Sequence, residues 1–130
     1  MHGGENNSGG RELSYNLFRV AEMGVQPDLA VIDGVEAVEG DGPWGGTPVE
    51  HEIALASTDF VAADRLGAEL MGIDPKLMKY LEWCGDAGMG NFDLSNIKVD
   101  GPDYKKHIIK YKMNKNIDWQ IAWIHENFGE

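Results

Sequence analysis

The sequence predicts a three-layer α/β fold, in which a short, mostly parallel sheet is flanked by helices and followed by an amphipathic C-terminal helix. An apolar run over 29–32 is typical of a strand that is covered on both faces. Segments with apolar residues at helical spacing lie between glycine, proline and aspartate residues, which mark helix ends. The 130 residues, of which 42% are hydrophobic, are enough for one core.

The first elements are a helix, a strand and a long loop. Apolar residues at helical spacing predict a helix from Arg11 to Met23, and Gly24 follows where a helix cap favours glycine. The buried strand over 29–32 ends at Asp33. Glycine, proline and carboxylates then fill residues 33–52, which predicts a long loop.

Strands and helices alternate in the rest of the chain. In order, we expect a strand over 53–57, helices over 59–71 and 74–84, a short edge strand over 97–99 and a terminal helix over 117–128. Asp59 and Asp74 are placed to cap the first two of these helices, and Pro75 suits a first helical position.

The charge of the chain changes near residue 104. Residues 1–103 carry six basic and nineteen acidic side chains, or −13, whereas 104–130 carry five and three, or +2. We therefore expect an α/β domain over 1–103 and a basic linker with an amphipathic helix over 104–130. The aromatic side of that helix, with Trp119, Trp123 and Phe128, is expected to dock on the same domain or to contact another subunit.

Composition excludes several classes of function. A net charge of −11 disfavours binding to a phosphate backbone, so we expect no nucleic acid partner. No signal peptide or membrane span is recognisable, which predicts a cytoplasmic protein without a membrane partner. The lone cysteine, Cys84, allows neither a disulfide nor an iron–sulfur cluster on this chain, and we expect it to be buried.

One glycine-rich segment matches the residue pattern of a nucleotide-binding motif but not the structural context that the motif requires. Residues 40–45 satisfy G-x-G-x-x-G, which works where the glycines end a strand and open a helix. Here Pro43 and Pro48 disfavour a helix, and the next predicted element is a strand. Acidic neighbours would also repel phosphate, so we do not assign a nucleotide site to the motif.

Carboxylates in the predicted loop suggest a cation site. Four carboxylates fall within nine residues: Asp33, Glu36, Glu39 and Asp41. Carboxylates on tight turns bind Mg²⁺ and other divalent cations. A carboxylate at the end of a buried strand, such as Asp33, would point into the crevice where open α/β sheets bind ligands. Asp64 is expected at the same edge. The predicted metal ligands are Asp33, Glu36, Asp41 and Asp64, and an ordinary solvated surface is the alternative.

Several stretches in order resemble one known family. The chain resembles the C-terminal half of the domain of unknown function 362 family. The similar stretches are residues 31–34, 39–45, 54–57, 61–64, 70–75, 87–90 and 97–101. The resemblance covers roughly residues 10–101. Members are often attached to ferredoxin-like iron–sulfur modules, which implies a redox setting and a ferredoxin-like partner. The segments of the family's N-terminal half are not recognisable here, so that half is a second implied partner.

Two hypotheses of function follow. The first is a ligand- or divalent-cation-binding domain of a redox-associated protein, of unknown reaction. Its ligand-binding residues would be Asp33, Gly34, Gly40, Asp41, Gly42, Asp59 and Asp64. The second is a non-catalytic interaction module, or a structural half-domain, that packs on a redox subunit, on the absent N-terminal half or on a second copy through the C-terminal helix.

Overall fold

A long β-hairpin and four helices make up the computed structural model, which describes residues 9–127. The elements in chain order are α1 (Gly9–Glu22), β1 (Ala30–Asp41), β2 (Gly45–Ser57), α2 (Phe60–Leu70), α3 (Lys79–Asp86) and α4 (Ile117–Asn127). Short 3₁₀ turns cover Pro75–Leu77, Leu94–Asn96 and Tyr104–His107.

The predicted mostly parallel sheet is wrong, although a mixed α/β architecture fits. Within the described residues the sheet has two strands, and β1 pairs antiparallel with β2 from Ala30 opposite Ser57 to Asp41 opposite Gly45. The predicted loop over 33–52 is also wrong, because both strands continue through it and only a tight turn separates them. The glycines and prolines of that region are compatible with strands whose outer edges carry no further strand.

A bulge interrupts the hairpin near its middle. Gly34 pairs with Ile53 and Glu36 with Glu50, so that His51 and Glu52 together oppose a single residue of β1. Glu52 has a φ of 55°, a left-handed backbone conformation that glycine adopts more readily than glutamate. The bulge therefore places one strained residue in β2.

Helix α2 is the central element of the fold. It packs on the hairpin on one side and on α3 on the other, and α1 packs on α3 and α4. The fully buried side chains of Val61, Leu81 and Cys84 form the centre of the core with Ala21. The prediction that Cys84 is buried is confirmed.

The helix ends follow the predicted capping residues. Gly24, with a φ of 85°, follows the end of α1, and Asp59 caps α2 with its side chain. Asp74 caps a 3₁₀ turn instead of a longer helix, because the predicted helix over 74–84 divides at Met78. The helix α4 is present as predicted, whereas Phe128 lies outside the described residues.

The predicted edge strand over 97–99 is wrong in one respect. Its backbone is extended at Ile97, with φ −99° and ψ 116°, but the segment pairs with no strand of the described structure. None of the described helices combines the length and the apolar character needed to cross a membrane.

Candidate functional site

The carboxylates at the hairpin tip contact the basic segment that precedes α4, residues 104–116, which we call the tail. Asp41 accepts a hydrogen bond from the backbone N–H of Lys115 at 3.0 Å and pairs with its Nζ at 3.2 Å. These contacts hold the pKa of Asp41 below its ordinary value. Glu39 likewise accepts from the N–H of Lys112 at 2.8 Å. The tail thus neutralises the acidic tip.

Asp33 and Glu36 lie elsewhere on the same strand. Asp33 is exposed near the start of β1, where its Oδ1 accepts a hydrogen bond from the N–H of Val35 at 3.0 Å. Glu36 is exposed as well. Eight positions of strand separate Asp33 from Asp41, which corresponds to roughly 25 Å. One cation therefore cannot contact both carboxylates in this conformation.

Asp59 joins three segments of the fold. Its Oδ1 accepts from the N–H of Ala62 at 2.9 Å, which caps α2. Its Oδ2 accepts from the backbone N–H of Asn91 at 2.8 Å and from the Asn91 side-chain amide at 2.9 Å. A Cβ atom on Gly90 would come within 2.2 Å of Asp59 Oδ1. Both carboxylate oxygens are thus used in structural contacts, and the predicted cap is confirmed.

Asp64 faces the interior. Its Oδ2 accepts a hydrogen bond from the hydroxyl of Tyr80 at 2.8 Å. Burial, this hydrogen bond and the Asp64 charge raise the pKa of Tyr80 well above its ordinary value. Burial also raises the pKa of the Cys84 thiol, with a smaller effect of the Asp64 charge. Both groups are therefore held in their protonated forms at neutral pH.

The glycines predicted to bind a ligand have local roles in the hairpin. A Cβ atom on Gly34 would lie 2.8 Å from Ile53 Cγ1, so this position is limited by packing across the two strands. Gly40 has a φ of 76° and donates its N–H to the carbonyl of Lys112 at 2.9 Å. Gly42 precedes Pro43 in the turn. None of Gly34, Gly40, Gly42, Asp59 and Asp64 lines the cleft beside β2 that is described below.

The predicted cation ligands also remain apart. Across residues 9–127, no group of three or more histidine, cysteine, aspartate or glutamate side chains is arranged to hold a metal ion. The single cysteine is fully buried, which does not fit the thiolate set of an iron–sulfur cluster.

A buried histidine that the sequence did not single out attaches the tail to β2. His51 Nε2 lies 2.6 Å from the carbonyl oxygen of His107, and its Nδ1 lies 2.7 Å from the hydroxyl of Tyr111. Because a carbonyl only accepts, Nε2 donates its hydrogen, and Nδ1 can accept from Tyr111. Burial, with a smaller effect of the Glu39 charge, raises the pKa of Tyr111. No motif in the sequence marks these three residues as neighbours.

A cleft of about 430 Å³ lies beside the outer edge of β2. One wall is formed by residues 52–57 of β2, and the opposite wall by the extended segment 97–102. The floor is apolar and consists of Ala62, Ala63, Leu66 and Leu70 of α2. The sequence predicted a strand over 97–99, but no pattern in the sequence indicated that this segment lies opposite β2 across the cleft.

In the described residues, the face of the hairpin that points away from α2 carries exposed apolar side chains. Val31 and Val35 of β1 are 65% and 54% exposed, and Ala54 and Ala56 of β2 are exposed beside them. We call these four residues the bare sheet face. The exposed carboxylate of Asp33, which pairs with Ala54 in the strand register, lies on the same face. The alternate residues of the strands, such as Ile32, face α2, where the Cδ1 atom of Ile32 reaches Gly67. The sheet therefore carries apolar side chains on both of its faces, whereas α2 packs on one of them.

Comparisons with known proteins identify relatives for part of the chain. The family described as Domain of unknown function (DUF362) matches residues 1–69. The thylakoid-associated protein sll1697 of Synechocystis sp. is 39% identical over 51 residues, which are 39% of this chain and 16% of that protein. The match thus spans about one sixth of the relative's length. No solved structure matches the chain.

Proposed function

The chain belongs to the family described as Domain of unknown function (DUF362), and we propose that it forms one part of a larger domain that is assembled from two polypeptides. In this proposal the chain is a non-catalytic module that forms a larger α/β domain with a complementary polypeptide. The complement is the N-terminal half of a domain of the same family, which supplies a layer on the bare sheet face.

The single observation that carries the proposal is the bare sheet face. An antiparallel sheet with one face in water usually carries polar residues on that face, so exposed apolar residues there favour a second layer that covers them. Among the described helices α2 packs on the hairpin, and the tail contacts the hairpin at its tip and at His51. Val31, Val35, Ala54 and Ala56 therefore form an apolar surface around the exposed carboxylate of Asp33, in the position where a second layer would pack.

Energetics favour the same interpretation. Full burial of a valine side chain contributes about 1.5 to 3 kcal/mol relative to its exposed state. An isolated two-stranded sheet is only marginally stable, and packing on α2 stabilises one face of this hairpin. A complement that covers Val31 and Val35 would thus stabilise both the hairpin and the complex.

Helix α1 shows a second incomplete contact. Phe18 and Ala21 pack on the core, whereas Leu13, Leu17 and Val20 form an exposed apolar strip at helical spacing. An amphipathic surface helix would carry polar residues at those positions. The strip supports a partner that covers more than the sheet alone.

The cation-binding hypothesis has less support. Asp41 is occupied by Lys115, Asp64 by Tyr80 and Asp59 by the cap of α2. A cation at these positions would have to displace existing partners. No contact in the described structure favours a divalent ion over them.

The test is binding between the full chain and a complementary polypeptide. As the probe we choose the part of the cyanobacterial relative that lies outside the matched 51 residues. We expect a one-to-one complex by size-exclusion chromatography with light scattering. The double variant Val31→Lys with Val35→Lys should weaken the complex by at least about a hundredfold, because two desolvated lysines replace two buried valines.

Met113→Lys serves as the matched control, since Met113 is an exposed apolar residue of the tail. This variant should bind the probe as the unmodified chain does. The proposal would be wrong if the chain did not bind the probe, or if both variants bound it equally. Binding of a ferredoxin-like protein at the bare sheet face, in place of the probe, would also contradict it.

A further inference from the structure

The free edge of β2 resembles an edge to which a strand can be added. β2 pairs with β1 along one edge, and residues 52–57 of β2 line the cleft. No backbone hydrogen bond of the described residues joins 52–57 to the segment 97–102 across it. Unpaired N–H and C=O groups along a strand edge are a template for the backbone of another strand.

The opposite wall of the cleft has the character of a strand without a partner. Ile97 and Val99 are partly buried, whereas Lys98 and Asp100 are exposed, so the side chains alternate as in a strand. The backbone of Ile97 is extended, and its N–H bonds only to the local carbonyl of Leu94. Two extended walls thus face each other across the cleft, and neither pairs with the other.

The lining of the cleft specifies the chemistry of an added strand. The floor, formed by Ala62, Ala63, Leu66 and Leu70, favours apolar side chains on the strand face that points to α2. Glu52 and Asp100 carry negative charge at the rim, and the one lysine there, Lys98, is paired with Asp100 at 3.1 Å. With a net charge of −11 on the whole chain, the outward positions of the strand favour lysine or arginine over acidic residues.

We propose that the cleft binds an extended, alternately apolar and basic segment, which pairs with the free edge of β2 as a third strand. This inference rests on the proposed function, because the segment belongs to the complementary half of the domain. It adds the location of one contact and the kind of sequence that makes it. The two contacts share Ala54 and Ala56, which belong to the bare sheet face and also line the cleft, whereas Val31 and Val35 belong to the bare sheet face alone.

The first experiment uses a synthetic ten-residue peptide in which valine and lysine alternate. Two further peptides carry N-methyl groups on every second residue, one peptide on the odd residues and the other on the even residues. Each methylated peptide therefore lacks the N–H groups along one of its two edges. The peptide should protect the amides of residues 52–57 from hydrogen exchange. Methylation in the phase that faces β2 should weaken binding by at least about tenfold more than methylation in the other phase.

Matched variants test the charge of the rim. Asp100→Lys should weaken binding of the valine–lysine peptide by about fivefold. Asp28→Lys, the same charge change at an exposed residue that does not line the cleft, should have a smaller effect. Equal effects of the two variants would indicate binding to net charge alone and would overturn the inference.

The outcomes for the two proposals are distinguishable. If the complementary polypeptide binds at the bare sheet face but residues 52–57 stay unprotected, the strand addition is wrong and the assembly proposal stands. If neither methylation phase matters, backbone pairing is likewise excluded. Protection of 52–57 together with a clear phase dependence supports the added strand.

Discussion

At the scale of single residues, the acidic side chains of this chain act mainly as structural acceptors. Asp59 caps α2, Asp64 accepts from Tyr80, and Asp41 pairs with Lys115. Sequence reasoning identified Asp59 as a cap because its place before an apolar helix is a local signal. The contact of Asp41 with Lys115 could not be predicted, because it joins residues 74 positions apart.

The Asp41 contact leads to a prediction about pH. Its pKa is lowered in the folded chain, so the stabilisation is present above the ordinary value of 3.8 and is lost as the pH falls through the lowered pKa. Asp41→Asn should therefore reduce the free energy of unfolding at pH 7. The difference from the unmodified chain should shrink towards pH 2, as measured by urea denaturation at each pH.

Asp33→Asn is the control for this experiment. Among the ion pairs of the described residues none involves Asp33, so its variant should change stability less at pH 7. If Asp41→Asn and Asp33→Asn had the same effect at every pH, the attachment of the tail through Lys115 would not contribute to stability.

At the scale of elements, the helices were more predictable than the sheet. The positions of α1, α2 and α4 follow from apolar spacing and from capping residues such as Gly24. The hairpin was missed because its glycines and prolines are typical of loops, and strand pairing depends on contacts between distant residues. The apolar run over 29–32 predicted a buried, parallel strand, and both parts are wrong: β1 is antiparallel to β2, and Leu29 and Val31 are 59% and 65% exposed.

The bulge in β2 gives a prediction at this scale. Glu52→Gly should raise the free energy of unfolding by about 1 kcal/mol, because a left-handed conformation costs a non-glycine residue about 1 to 2 kcal/mol and glycine adopts it freely. Glu50→Gly is the matched control two positions away. It should lower stability by about 0.5 to 1 kcal/mol, since glycine weakens a regular strand.

Urea denaturation of both variants decides this point. Opposite signs for Glu52→Gly and Glu50→Gly support a strained bulge at Glu52. A loss of stability in both would show that the left-handed conformation at Glu52 is absent in solution.

At the scale of the whole molecule, the described residues form a core, and α2 is the helix that packs on the hairpin. The helices α1, α2 and α3 surround Val61, Leu81 and Cys84, whereas the hairpin is covered on one face. The sequence predicted three layers from the same apolar pattern, and the described structure contains the sheet and the helices on one side of it. The assembly proposal places the remaining layer on a complementary polypeptide.

Backbone hydrogen exchange of the full chain, with and without the complementary polypeptide, tests this account most directly. The account predicts that the amides of 30–36 exchange faster than those of 81–84 in the isolated chain, and that the complement slows exchange at 30–36 by at least about tenfold. Equal protection of the hairpin and the core in the isolated chain, with no change on adding the complement, would contradict it.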